Sequence, residues 1–156
     1  MTGNEPVILI AEDCEYDVFT LCRMLAAIGA FVPAHVVRDG EEAIHYLEGS
    51  GKYANRAEYP LPDLFLLDLK MPRTNGFDVL RWVRGQPSLS KLRIIVLTSS
   101  DDLHEIHEAY RLGASSYLVK PRPPGDLQNS IVATCEYRRI NTIPSISRPS
   151  RGAIKT

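Results

Sequence analysis

The chain lacks any apolar run approaching the ~20 residues of a membrane-spanning helix; its hydrophobic stretches are short and broken by polar residues. The N-terminus, MTGNEPV, has neither the basic start nor the apolar core of a secretory signal, so a soluble protein that stays in the cytoplasm is expected. Cysteine is scarce. Cys14, Cys22 and Cys135 form no close metal-binding pair, and their odd number argues against a complete disulfide framework, so they read as reduced thiols that mostly fill the core. Neither G-x-G-x-x-G nor a P-loop follows the first apolar run, which counts against a nucleotide-binding module. No internal repeat is present.

What remains is ordinary globular composition: 156 residues, 44% apolar and 24% charged, enough for one two-sided core without a structural metal. The net charge of −1 hides an asymmetry. Residues 138–156 carry Arg138, Arg139, Arg148, Arg151 and Lys155 and no acidic residue; removing those five from the 18 basic residues leaves 13 against 19 acidic, a body of charge −6. An acidic body with a short basic tail is not the pattern of a nucleic-acid-binding domain, whose basic charge clusters on a folded face. From about Ile140 onward Pro, Ser and Arg replace periodic apolar residues, and order is expected to fade. Arg138 and Arg139 fit a helix C-terminal charge pair.

Five short apolar runs alternate with helical patterns: VILIA (7–11), AHVV (34–37), LFLLDL (64–69), RIIVLT (93–98) and SYLVK (116–120). The first, third and fourth are apolar almost throughout, as central parallel strands covered on both faces should be. Helices are predicted around Val18, Cys22 and Leu25, with Phe19 and Ile28 widening the stripe and Gly29 as the stop, then at 41–48, 77–83, 103–112 and 127–137. Trp82 and Phe77 read as packing of the third helix. The alternation implies right-handed crossovers and an α/β, flavodoxin-like doubly wound sheet of five parallel strands in the order 2-1-3-4-5, with helices on both faces. Residues 49–62 form a long, Gly- and Pro-containing surface connection.

Polar residues interrupt these strands at one end only. Glu12 and Asp13 follow the first, Asp68 ends the third, Thr98 the fourth and Lys120 the fifth, so a parallel sheet gathers them on one rim. Carboxylates this close repel by roughly 4 kcal/mol per pair at 4 Å with an effective dielectric near 20. Mg²⁺, a hard cation that takes carboxylates, waters and phosphate oxygens, offsets that repulsion. Such a rim suits phosphoryl transfer: Asp68 as carboxylate nucleophile, Lys120 as a second positive charge, Thr98 as a hydrogen-bond donor to a phosphoryl oxygen. Taken singly, each residue has a plainer reading. Asp13 could cap the first helix, Lys120 could be a structural ion-pair partner, Thr98 an ordinary strand residue and Tyr117 half-buried packing. His104 and His107, three apart with no further ligand nearby in sequence, read as solvated or packed.

The segments VILIAED (7–13), LFLLDLKMPRTNG (64–76), RIIVLTSS (93–100) and SYLVKP (116–121) resemble, in order and spacing, the receiver domains of two-component response regulators. The resemblance covers residues 6–137 and leaves 138–156 as a tail. It implies Asp68 as phosphoacceptor, Glu12, Asp13 and Asp68 as metal ligands together with the backbone carbonyl of Lys70, Lys120 as phosphate-binding lysine, Thr98 and Tyr117 as the switch pair, and a cis Lys120–Pro121 peptide. VRDGEEAIHYL (37–47), the long loop after it and LTSS are similar to the stand-alone receivers associated with bacterial phytochromes. That implies a phytochrome-type sensor histidine kinase as partner, while the site itself fits any sensor histidine kinase or a phosphotransfer protein. Ser99 and Asn75 depart from the wider family and fit these relatives, whereas RPPG (122–125) is stiff for a segment leading into the last helix.

Competing readings remain at this point. A phosphohydrolase with a related core requires a second carboxylate two residues after the nucleophile, and that position is Lys70, so multiple turnover is not expected. A receiver-like scaffold that has lost phosphorylation is disfavoured by the intact set of five polar residues. With no recognisable output domain after residue 137, the signal is expected to leave through a surface, a partner or a phosphorylation-sensitive homodimer.

Overall fold

The computed structural model describes residues 6–27 and 34–120. Five strands, β1 (Ile8–Ala11), β2 (Ala34–Val37), β3 (Leu64–Leu67), β4 (Arg93–Thr98) and β5 (Ser116–Val119), form one parallel sheet in the order β2-β1-β3-β4-β5. Among the described residues there are four α-helices: α1 (Glu15–Ala27), α2 (Gly40–Glu48), α3 (Gly76–Arg84) and α4 (Leu103–Arg111). The helix expected at 127–137 lies outside the described residues.

Strand alternation divides the core in two. Leu9, Phe65, Leu67, Ile94 and Val96 point to one face and pack with Leu47, Val79, Leu80 and Val83 of α2 and α3. Ile8, Ile10, Leu64, Leu66, Ile95 and Leu97 point to the other and meet Leu21 and Leu25 of α1. Every residue of β1 and β3 is buried, which is why those strands read as unbroken apolar runs.

Two expectations about side chains need correction. Phe19 is 59% exposed, because it sits about 100° around α1 from the buried Val18; Leu21 and Leu25 complete the inner stripe instead. Cys14 is exposed at the loop into α1 and does not fill the core, whereas Cys22 is partly buried and packs against it as expected; Cys135 lies outside the described residues. Trp82 and Phe77 pack partly buried against the core as expected, and His104 and His107 are exposed.

The connection at 49–62 is more firmly held than a plain surface loop. Gly49 ends α2 at φ 76°, and Arg56 donates to the carbonyls of Tyr46 and Leu47, acceptors at the helix end, and to that of Tyr59 in the connection itself. Tyr46 and Tyr53 are buried there, with the Tyr46 hydroxyl donating to the Pro60 carbonyl at 2.8 Å.

Candidate functional site

Parallel register delivers the polar residues to one rim. Ala11 is paired with Leu67, so Glu12 and Asp68 each emerge one residue beyond the paired strand ends. The backbone N–H of Asp68 donates to Ala11 O at 3.1 Å, and that of Glu12 to Val37 O at 3.0 Å, which fixes where both side chains start. Thr98 is paired with Val119, and the Lys120 N–H donates to the Thr98 carbonyl.

One carboxylate oxygen from each of Glu12, Asp13 and Asp68 can be found within 4.8 Å of the others. Glu12 and Asp68 are buried and Asp13 is exposed, which leaves the group open towards solvent. Three carboxylate donors with an open side fit a hard divalent cation that keeps some of its waters. The carbonyl that opens α1 belongs to Cys14, which accepts from Val18 N–H at 3.0 Å. The helix-opening role that sequence alone allowed for Asp13 is therefore filled by its neighbour.

Lys120 is the cation among these acids. Its Nζ donates to Glu12 Oε1 at 2.8 Å and Asp17 Oδ2 at 2.7 Å, and stands 3.7 Å from Asp68 Oδ2. Burial alone lowers the lysine pKa, but the hydrogen bonds to Asp17 and Glu12 and the charge of Asp68 outweigh it, so Lys120 stays charged. Burial, reinforced by the charge of Asp68, pushes Glu12 up to about 7 despite its bond to Lys120. Burial likewise raises Asp68, against the pull of Lys120. The backbone N–H of Lys70 donates to Asp68 Oδ1 at 3.3 Å, while its side chain faces away to pair with Glu105 at 3.8 Å.

Thr98 is fully buried, and its Oγ1 has no hydrogen-bond partner. Tyr117, half-buried on β5, donates from its hydroxyl to the Ser100 carbonyl at 2.9 Å, tying β5 to the loop that follows β4. Pro121, and with it the expected cis peptide, lies outside the described residues.

Sequence reasoning passed over Asp17. An acidic residue in the first turn of a helix is ordinarily a partner for the helix dipole, so nothing in its spacing distinguished it.

Residues 8–132 match the response regulator receiver domain family. The chain belongs to that family. Among curated receiver proteins it is 33% identical to Response regulator Rcp1 of a Synechocystis species over 126 residues, 80% of this chain and 84% of that protein. Among solved structures, the phosphorylated cyanobacterial phytochrome response regulator RcpA is 31% identical with a TM-score of 0.78, covering 91% of this chain and all of that one. A Mn²⁺-bound form of Rcp1 is 29% identical with a TM-score of 0.70, covering 93% of this chain and 99% of that chain. The receiver is thus similar to phytochrome response regulators in sequence and fold. Among its described residues no helix is long and apolar enough to cross a membrane.

Proposed function

We propose that this receiver accepts a phosphoryl group from a phosphohistidine onto Asp68, and that the change alters a surface read by a partner or a second copy. The observation that carries the reading is the placement of the buried Asp68 beside two further carboxylates on one side and Lys120 on the other. Glu12, Asp13 and Asp68, with the carbonyl of Lys70, would hold Mg²⁺. When bound, that ion neutralises charge on the phosphoryl oxygens.

An Asp68 carboxylate oxygen forms the new bond to phosphorus as the bond to the donor imidazole nitrogen breaks, and the imidazole leaves with the electron pair. Lys120 places its ammonium against a phosphoryl oxygen. The unpartnered hydroxyl of Thr98 has a proton to donate to another, and its movement would free space at β4 for Tyr117, whose bond to Ser100 would break as it turns inward. The consequence is a population shift between two surfaces rather than turnover of an external substrate.

The similarity to phytochrome response regulators supports a sensor histidine kinase of phytochrome type, or a phosphotransfer protein, as donor in the cytoplasm. The test is incubation with Mg²⁺ and a small acyl phosphate. An acid-stable, base-labile phosphoryl adduct is expected on the wild type and not on Asp68→Asn; equal labelling of both would refute the reading. Size-exclusion chromatography with and without a phosphoryl mimic tests whether self-association is the output.

A further inference from the structure

Lys120 has more acidic partners than the proposed chemistry needs. A phosphate-binding lysine is required near Asp68, yet its two hydrogen bonds go to Glu12 and to Asp17, and Asp68 is left at 3.7 Å. Glu12 is already engaged in the carboxylate group at the strand ends. Asp17 belongs to no such group: it projects from the first turn of α1, is only partly buried, and the ammonium of Lys120 is its hydrogen-bond partner. Its bond spans 103 residues of sequence and is the shortest of the lysine's three acidic contacts.

We infer that Asp17 is a positioning residue that holds Lys120 in a resting place and competes with the phosphoryl group for its ammonium. The inference rests on the proposed role of Asp68. A single ammonium has three N–H groups. Two are committed to Glu12 and Asp17, and the third is left for Asp68 across 3.7 Å; closing that gap onto a phosphoryl oxygen lengthens the bond to Asp17, since Glu12 lies with Asp68 on the side of the acceptor. The carboxylate on α1 therefore opposes the phosphorylated state and favours the unphosphorylated one. Because the pair is partly exposed, its weight is that of a screened ion pair, a factor of about two to five in an equilibrium constant.

The test measures binding of fluoroberyllate, a phosphoryl mimic, in saturating Mg²⁺ to the full chain, its Asp17→Asn and its Asp17→Glu variants, with thermal unfolding to verify that each is folded. Asp17→Asn is expected to bind the mimic about two- to fivefold more tightly, and Asp17→Glu, which restores a carboxylate, to return towards the wild-type value. A purely structural role would weaken binding or leave it alone. Wild-type binding with no tightening in Asp17→Asn overturns this inference and leaves Asp68 as acceptor untouched. Failure of the wild type to bind the mimic overturns both.

Discussion

Lys120 Nζ donates to Glu12 Oε1 at 2.8 Å, joining the end of β5 to the end of β1 across 108 residues of sequence. This bond crosses the sheet over β3 and β4, so the site is assembled only when all the central strands are in register. It is also not strong enough to keep Glu12 at an ordinary carboxylate pKa, because burial and Asp68 act against it.

A pH dependence follows. With Glu12 raised from 4.5 to about 7 in the metal-free protein, the native state binds more protons than the unfolded chain across that window. Its stability contribution is therefore present below about 4.5 and is lost as pH rises through about 7. Glu12→Gln should flatten that slope in urea titrations run without metal. The same protonation competes with a cation, so apparent Mg²⁺ affinity by calorimetry should fall as pH drops through about 7 in the wild type. An affinity independent of pH in this range would contradict the assignment.

Thr98→Val should separate stability from switching. The Thr98 hydroxyl is buried without a partner, so its removal spares a desolvation cost and should leave the unphosphorylated protein as stable or up to about 1 kcal/mol more stable. Binding of a phosphoryl mimic should instead weaken by about tenfold, the loss of one hydrogen bond to a charged group. Denaturant unfolding and mimic titration on the same preparation decide it. Weaker folding with unchanged mimic binding would show that Thr98 is only a strand residue.

Two glycines hold the loop beneath the site. A Cβ on Gly40 would lie 1.8 Å from the Thr74 carbonyl oxygen, and one on Gly76 would lie 2.6 Å from that of Asp68. Both obstacles are backbone, so neither can rotate away. Gly40→Ala should cost about 3 kcal/mol by denaturant unfolding, at the upper end of overpacking effects. Gly76→Ala should also displace the Asp68 backbone, and so lower the rate of acyl phosphate labelling more than Gly40→Ala does at temperatures where both are folded.

The sheet order and the converging rim were legible in the sequence because buried parallel strands are apolar throughout, so that Glu12, Asp68, Thr98 and Lys120 stood out as interruptions at one end. Phe19 was misplaced because it adjoins Val18 in sequence, while helical geometry turns it about 100° towards solvent. The hold of Arg56 on the end of α2 was hidden for another reason: an arginine in a polar loop carries no sign of which carbonyls it will meet. Asp17 belongs with it. Its bond to Lys120 depends on how α1 sits over the sheet, which no local pattern records.

The identity of the acceptor carboxylate is tested most directly by trapping it. After incubation with acyl phosphate and Mg²⁺, borohydride reduces an aspartyl phosphate to homoserine, and peptide mass spectrometry locates the converted residue. Conversion at position 68, dependent on phosphodonor and abolished in Glu12→Gln/Asp13→Asn, is the result this account predicts. Conversion at Asp13 or another carboxylate with Asp68 intact, or none at all in folded protein, would contradict it.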